Sequence, residues 1–169
     1  MSKARGSRPA SRNPRRTLGE ERARLTEIRD DPHVTVIGSG TSREGDRWIL
    51  TATGDDVDPG VMLKVGTSSG HHSGGGYYGH SPSDEEMVST YTRHDDVGPD
   101  QIIIRVTAGV HGVIVTLSDG RRDRLSVYPD PTHSGGGYAV LVYPRELDIH
   151  RIDLEDANGW PMPFRQGQH

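Results

Sequence analysis

Cysteine is absent from this 169-residue chain, which removes disulfide frameworks, thiolate zinc sites and cysteine nucleophiles together. Aromatic residues are scarce, at 5% with a single phenylalanine. No apolar run approaches the roughly 18 residues of a membrane-spanning helix. Acidic residues are missing from positions 1–16, MSKARGSRPASRNPRR, where Lys3, Arg5, Arg8, Arg12, Arg15 and Arg16 stand alone. The whole chain carries −4, so these six positive charges leave −10 on the rest, a basic arm on an acidic body. The Arg15–Arg16 pair has the form of a twin-arginine export signal. Such a signal needs an apolar stretch behind it, and TLGEERARLTEIRDD supplies charges instead. The expectation is a cytoplasmic protein with no membrane role.

What is present is β-forming. Valine and isoleucine total 23 against 9 leucines, and all but Ile28 lie beyond residue 33. β-branched side chains fit a pleated, half-buried surface. Residues 1–16 hold little that can be buried and are expected to be a disordered arm. Residues 17–31 are expected to form a short charged helix: Thr17 and Glu20 have capping-box spacing, Leu18, Leu25 and Ile28 make a thin apolar stripe, and Pro32 stops it.

From His33 onward, short β runs alternate with turn residues. The candidate strands are 33–38, 47–53, 61–65, 86–92, 101–108, 112–118, 123–128, 137–143 and 148–154. In RWILTAT, Trp48, Leu50 and Ala52 alternate with Ile49, Thr51 and Thr53, the mark of a half-buried strand. Asp119-Gly120 predicts a two-residue hairpin with positive φ at both central positions, and Asn158-Gly159 before Trp160 predicts another tight turn. No helical period follows residue 31, so a crossover α/β fold is excluded. Residues 33–169 are expected to form one all-β domain, an antiparallel β-sandwich of immunoglobulin-like or related type.

The word HSGGGY occurs twice, at 72–77 and 133–138, each time after a strand–turn–strand pattern. A partial internal duplication would place the two copies at related positions. The glycine triplet lacks the following helix, or the Lys and Ser/Thr, that a phosphate-cradling loop needs. His71, His72 and His80 lie close in sequence, and the fold could bring His133 to them, so a metal site is one reading. The other reading, and the expected one, is a wet, glycine-rich connector whose tyrosine anchors its end on a sheet. No G-x-S-x-G elbow and no distinctive carboxylate pair points to catalysis.

The stretches GPDQIIIRVTAGVHGVIVTLSDGRRDRLSV and GGYAVLVYPRELDIHRIDLEDANGW resemble a poorly characterised β-sandwich module of actinobacterial proteins. There, a V-x-V-x-L-x-DG hairpin leads through a glycine-containing loop to a strand of large apolar residues, and a last strand ends in an Asp-Ala-Asp/Asn-Gly turn. The matching pieces are Val113–Gly120, Gly135–Tyr143 and Ile149–Gly159, and residues 38–56 are similar to the module's opening strands. The resemblance covers residues 33–160 and implies the fold. Members often carry central-loop cysteines and membrane tethers; this chain shows neither, so no extracellular role is implied, and the module lends no catalytic residues.

Taken together, these features predict a non-catalytic module without a cofactor that binds another macromolecule, a protein, through its loops and its arm. Tyr77, Tyr78 and Tyr138 are the candidate contact residues, since tyrosine joins a large apolar body to a hydroxyl. Two alternatives stand beside this reading. One is a nucleic-acid or ribonucleoprotein-associated protein, with weak, salt-sensitive binding by the arm. The other is a metal-binding protein built on His71, His72, His80 and His133.

Overall fold

The computed structural model describes residues 34–53, 60–77, 81–132 and 135–163. The basic arm and the helix expected at 17–31 lie outside the described residues. Among those described there is no helix. The strands in chain order are β1 (Thr35–Thr41), β2 (Arg47–Thr53), β3 (Gly60–Gly66), β4 (His72–Tyr77), β5 (Val88–Arg93), β6 (Asp100–Val106), β7 (Gly112–Leu117), β8 (Arg122–Ser126), β9 (Tyr128–Pro129), β10 (Gly137–Tyr143), β11 (Ile149–Glu155) and β12 (Pro161–Met162). They form three antiparallel sheets: a front meander β1-β2-β3-β4, a middle sheet β5-β6-β10-β9 and a back sheet β12-β11-β7-β8.

Side-chain alternation explains how three sheets share two cores. Successive residues of a strand point to opposite faces. In the middle sheet Ile102, Ile104, Val106, Ala139, Leu141 and Tyr143 join Val113, Val115, Leu117, Ile152 and Leu154 of the back sheet in one core. The intervening Ile103, Tyr138, Val140 and Val142 join Trp48, Leu50, Val61, Leu63 and Val65 of the front sheet in the other. Both β6 and β10 are buried at every position. They therefore lack the alternation of burial that the one-sided β7 keeps, where Val113, Val115 and Leu117 are buried and Ile114 and Thr116 only half-buried.

One turn geometry closes four hairpins. In each, the residue before the turn donates its N–H to the carbonyl four positions on, and the glycine's N–H returns to the first residue's carbonyl: Ser42 to Asp46, Thr67 to His71, Leu117 to Arg121 and Asp156 to Trp160. Gly45, Gly70, Gly120 and Gly159 sit at φ between 78° and 92°, where a Cβ is strained. These are three-residue loops, a type I turn followed by a left-handed glycine. The hairpin expected at Asp119-Gly120 is present, but only Gly120 has positive φ, so the two-residue form is corrected.

The first HSGGGY is corrected too. Residues 72–77 are not a connector but β4, paired residue for residue with β3 from Gly66↔His72 to Val61↔Tyr77. Glycine has low strand propensity, and here close approach decides. A Cβ at Gly75 would lie 3.3 Å or less from Tyr91 Cε1 and Arg93 Cδ of β5, which pack directly on the bare backbone. In the second copy, a Cβ at Gly136 would meet the Val106 carbonyl at 2.3 Å and one at Gly137 the Tyr128 carbonyl at 2.6 Å. The first copy is itself an edge strand of the front sheet, whereas the second leads into an inner strand of the middle sheet. The two are not equivalent corners of a duplication. DRLSVY, expected as one strand, divides between β8 in the back sheet and β9 in the middle one.

Candidate functional site

Three links meet at one end of the middle and back sheets. The β6–β7 link (107–111), the described parts of the β9–β10 link (130–132 and 135–136) and the β11–β12 turn (156–160) converge, because β6 ends opposite the start of β10 and β11 ends opposite the start of β7. The His111 N–H donates to the Glu155 carbonyl at 2.8 Å, and a Cβ at Gly135 would touch the Ala108 methyl at 3.2 Å.

Trp160 heads this end and is 69% exposed. Only Val97, in the β5–β6 link at the opposite end, is a comparably exposed large apolar residue among those described. The turn that carries Trp160 is held rigidly. One carboxylate oxygen of Asp156 accepts the N–H of Asn158 at 2.8 Å and of Trp160 at 2.9 Å. The bond from Trp160 is the main reason the Asp156 carboxyl is held below its ordinary range. Next along the chain, Pro161 and Pro163 border a shallow groove of about 960 Å³ on the outer face of the back sheet. Some of the charges that line it are paired: Arg151 with Asp153 at 2.6 Å, and Glu155 with Arg124 at 2.8 Å across side-chain-free Gly112.

Beneath the β9–β10 link lies a buried polar group of residues. Asp130 accepts the Thr132 N–H and hydroxyl at 2.9 and 2.7 Å, which shapes the link's first turn. Arg105 from β6 reaches the same carboxylate at 2.9 Å, with side chains only 8% and 1% exposed. Burial works to raise the Asp130 pKa, but the Thr132 bonds and the Arg105 charge overcome it and hold the carboxyl low. The Arg105 guanidinium lies 5.4 Å from the centre of the Tyr138 ring. Burial pushes the Tyr138 hydroxyl up to about 12, with Asp130 adding to the shift and Arg105 opposing it.

The sequence-predicted residues are dispersed. Tyr138 is fully buried, so its ring belongs to the core and offers no surface to a partner. Tyr77 is half-buried, its hydroxyl 2.7 Å from Ser89 Oγ and its ring 6.2 Å from that of Tyr91. Tyr78, His80, His133 and the arm residues Lys3, Arg5, Arg8, Arg12, Arg15 and Arg16 lie outside the described residues. His71 Nε2 lies 3.2 Å from Asp95, whereas His72 opens β4 with its Nε2 buried and unpaired. Among the described residues no three His, Asp or Glu side chains form a group that could hold a metal.

His71 belongs to a different arrangement, at the Val97 end. Burial raises the Asp95 carboxyl, but the N–H groups of Gly98 and Val97, at 2.8 and 2.9 Å, and His71 outweigh it and bring the pKa to about 2. The Asp95 N–H in turn donates to Asp100, which His94 meets at 2.5 Å. This chain ties the β3–β4 hairpin of the front sheet to the β5–β6 link. It is a brace and holds no nucleophile.

Sequence reasoning did not single out Trp160, the exposed tryptophan of this end. The available signal was a tryptophan directly behind Asn158-Gly159, a large apolar side chain placed on a turn rather than in a strand. Among the described residues no helix is long and apolar enough to cross a membrane. Comparison with family models, with curated proteins and with solved structures finds no match.

Proposed function

We propose that the chain is a non-catalytic binding module of immunoglobulin-like type that holds a partner protein at the loop end headed by Trp160. The immunoglobulin-like reading is supported by strand order. When the strands are lettered from β5, the middle sheet runs A-B-E-D and the back sheet G-F-C-C′, with each hairpin and each crossing between sheets in its place. The front meander is then an addition laid over the outer face of the A-B-E-D sheet. The inter-sheet disulfide and the strand-C tryptophan of antibody domains are replaced by aliphatic packing around Ile104, Val115 and Ile152. In this lettering the three converging links are B–C, D–E and F–G, the end at which variable domains bind.

The observation that carries the reading is the exposure of Trp160 on a fixed turn. Tryptophan is over-represented among the residues that dominate binding energy, and a rigid turn removes the ordering cost of presenting it. A protein is favoured over nucleic acid because the body is acidic and its exposed anchor stands beside Asp156. The basic arm adds salt-dependent contacts, and a cytoplasmic site of action fits the charged stretch behind Arg15–Arg16. Capture by the immobilised full chain and by Trp160→Ala, with partners identified by mass spectrometry, tests this. Loss of the same partner from a variant of unchanged melting temperature supports the site, and equal capture sinks it.

A further inference from the structure

Strand β10 is paired along its whole length on one side and for two residues on the other. With β6 it matches Gly137 to Tyr143; with β9 it matches only Gly137 and Tyr138. Upstream of Tyr128 the chain leaves for β8 in the back sheet, so among the described residues no strand continues the β9 ladder beside Ala139–Tyr143. In an antiparallel pair, the residues that exchange both N–H···O bonds alternate. The Asp130 N–H donates to the Gly136 carbonyl at 3.0 Å, which makes 130/136 such a position and, two residues on, 128/138. The main-chain groups of Val140 and Val142 therefore aim at the unpaired side.

That edge opens into a cleft of about 280 Å³ between the front and back sheets. Gly40 and Trp48 line one wall, Leu125 and Ser126 the other, and Val140 to Tyr143 the floor. Successive residues of a strand line one cleft together only along its edge. At the mouth, the Arg43–Asp123 pair at 2.8 Å and the Arg121–Glu44 pair at 2.7 Å tie the β1–β2 turn to the β7–β8 hairpin. The contrast with the edge strand β8 is sharp. There Arg122, Asp123 and Arg124 supply the charges that guard natural sheet edges. The β10 edge offers Val-Leu-Val-Tyr, with no charge of its own.

We propose that this slot takes one extended, uncharged peptide segment from a partner by strand addition, antiparallel to β10 and in line with β9. The main chain of Val140 and Val142 supplies the hydrogen bonds, and the two walls select side chains at alternate positions. The wall at Gly40 is a bare backbone covered by the Trp48 ring, and the opposite wall is Leu125, so both sets of positions take small or β-branched apolar residues. Proline is excluded wherever an N–H must be donated to the edge. The cations and anions at the mouth are already paired with one another, so the occupant is neutral. The slot lies towards the Tyr143 end of β10, away from Trp160, and does not depend on the function proposed for that turn.

Residue-resolved amide hydrogen exchange on the full chain tests the slot, with an end-blocked peptide of alternating valine and threonine as probe. In the free protein, Val140 and Val142 should exchange faster than Ala139 and Leu141, whose amides face β6. At a tenfold excess of peptide over its dissociation constant, those two amides should slow about tenfold. The same peptide N-methylated on its pairing edge should leave them unchanged. Exchange at Val140 and Val142 already as slow as at Leu141 would show the edge to be covered and overturn the proposal. So would no slowing at the peptide's solubility limit. Slowing that follows protein concentration without peptide would assign the edge to a second copy of the chain, which also overturns it.

Discussion

The two faces of the middle sheet are buried to the same depth and filled with different chemistry. Towards the back sheet, β6 sends Ile102, Ile104 and Val106 into a wholly aliphatic core closed by Tyr143. Towards the front sheet, the same strand sends Ile103 into the second core, Gln101 to Ser73 of the glycine-rich β4, and Arg105 to Asp130 and Tyr138 within the middle sheet. The first face is a hydrophobic sandwich whose stability follows area. The second adds to an apolar core around Leu50, Leu63 and Val140 a set of directional bonds and close backbone approaches, and it tolerates fewer substitutions for a different reason. A buried polar group that loses its partner costs far more than the pair contributes.

Neighbouring residues on β6 make the largest test of that contrast. Arg105→Leu leaves the Asp130 carboxylate buried without its cation and should cost about 3–5 kcal/mol in urea unfolding. Ile104→Val, one residue away on the other face, should cost about 0.5–1.5 kcal/mol. The double variant Arg105→Leu with Asp130→Val should recover much of the first loss. If the single Arg105 variant is as mild as Ile104→Val, the front face is not held by its polar pair.

The two HSGGGY copies sharpen the comparison at smaller scale. Gly136→Ala drives a methyl into the Val106 carbonyl, which belongs to a strand that does not yield, and should destabilise by about 1–3 kcal/mol. Gly75→Ala meets only the side chains of Tyr91 and Arg93, which can shift, and should cost less than about 1 kcal/mol. Equal costs would mean that the glycines serve one common purpose after all.

The brace between the front sheet and the β5–β6 link is legible in pH dependence. The Asp95 carboxyl falls from an ordinary 3.8 to about 2 in the folded chain. A depressed carboxylate contributes stability above its unfolded pKa and loses it as pH falls through the folded value. Asp95→Asn should therefore lower the melting temperature above pH 4, and the difference from the parent should close as pH falls from 3.8 to about 2. A difference that persists at the acid end would mean that the amide cannot cap the link and that charge is not the cause. Smallest of all, Trp160→Ala should change stability by no more than about 0.5 kcal/mol, because its ring lies outside both cores.

Strands with strong local patterns are legible in the amino-acid order alone. RWILTAT and GYAVLVY predict strands at 47–53 and 137–143, the bounds β2 and β10 adopt. Elsewhere local signals fall short. HSGGGY reads as a connector because glycine disfavours strands, and only pairing with β3 and the packing of Tyr91 and Arg93 make it β4. Tyrosine at 138 and tryptophan at 160 look interchangeable as contact residues by composition. The first is fully buried because it faces inward on an inner strand, and the second is exposed because it closes a turn and joins neither core.

The sequence by itself determined the all-β class, most strand positions and the turns, because alternation, β-branching and a glycine four positions into a hairpin act over a few residues. Only the tertiary structure decided that the described residues form three sheets rather than two, that DRLSVY divides between two of them, and that among those residues β10 has no strand partner beyond Tyr138 on one side. Those outcomes depend on which distant strands meet. A strand such as QIIIRV has the same local preferences whichever sheet it joins, so its partners are set by burial of both its faces at once.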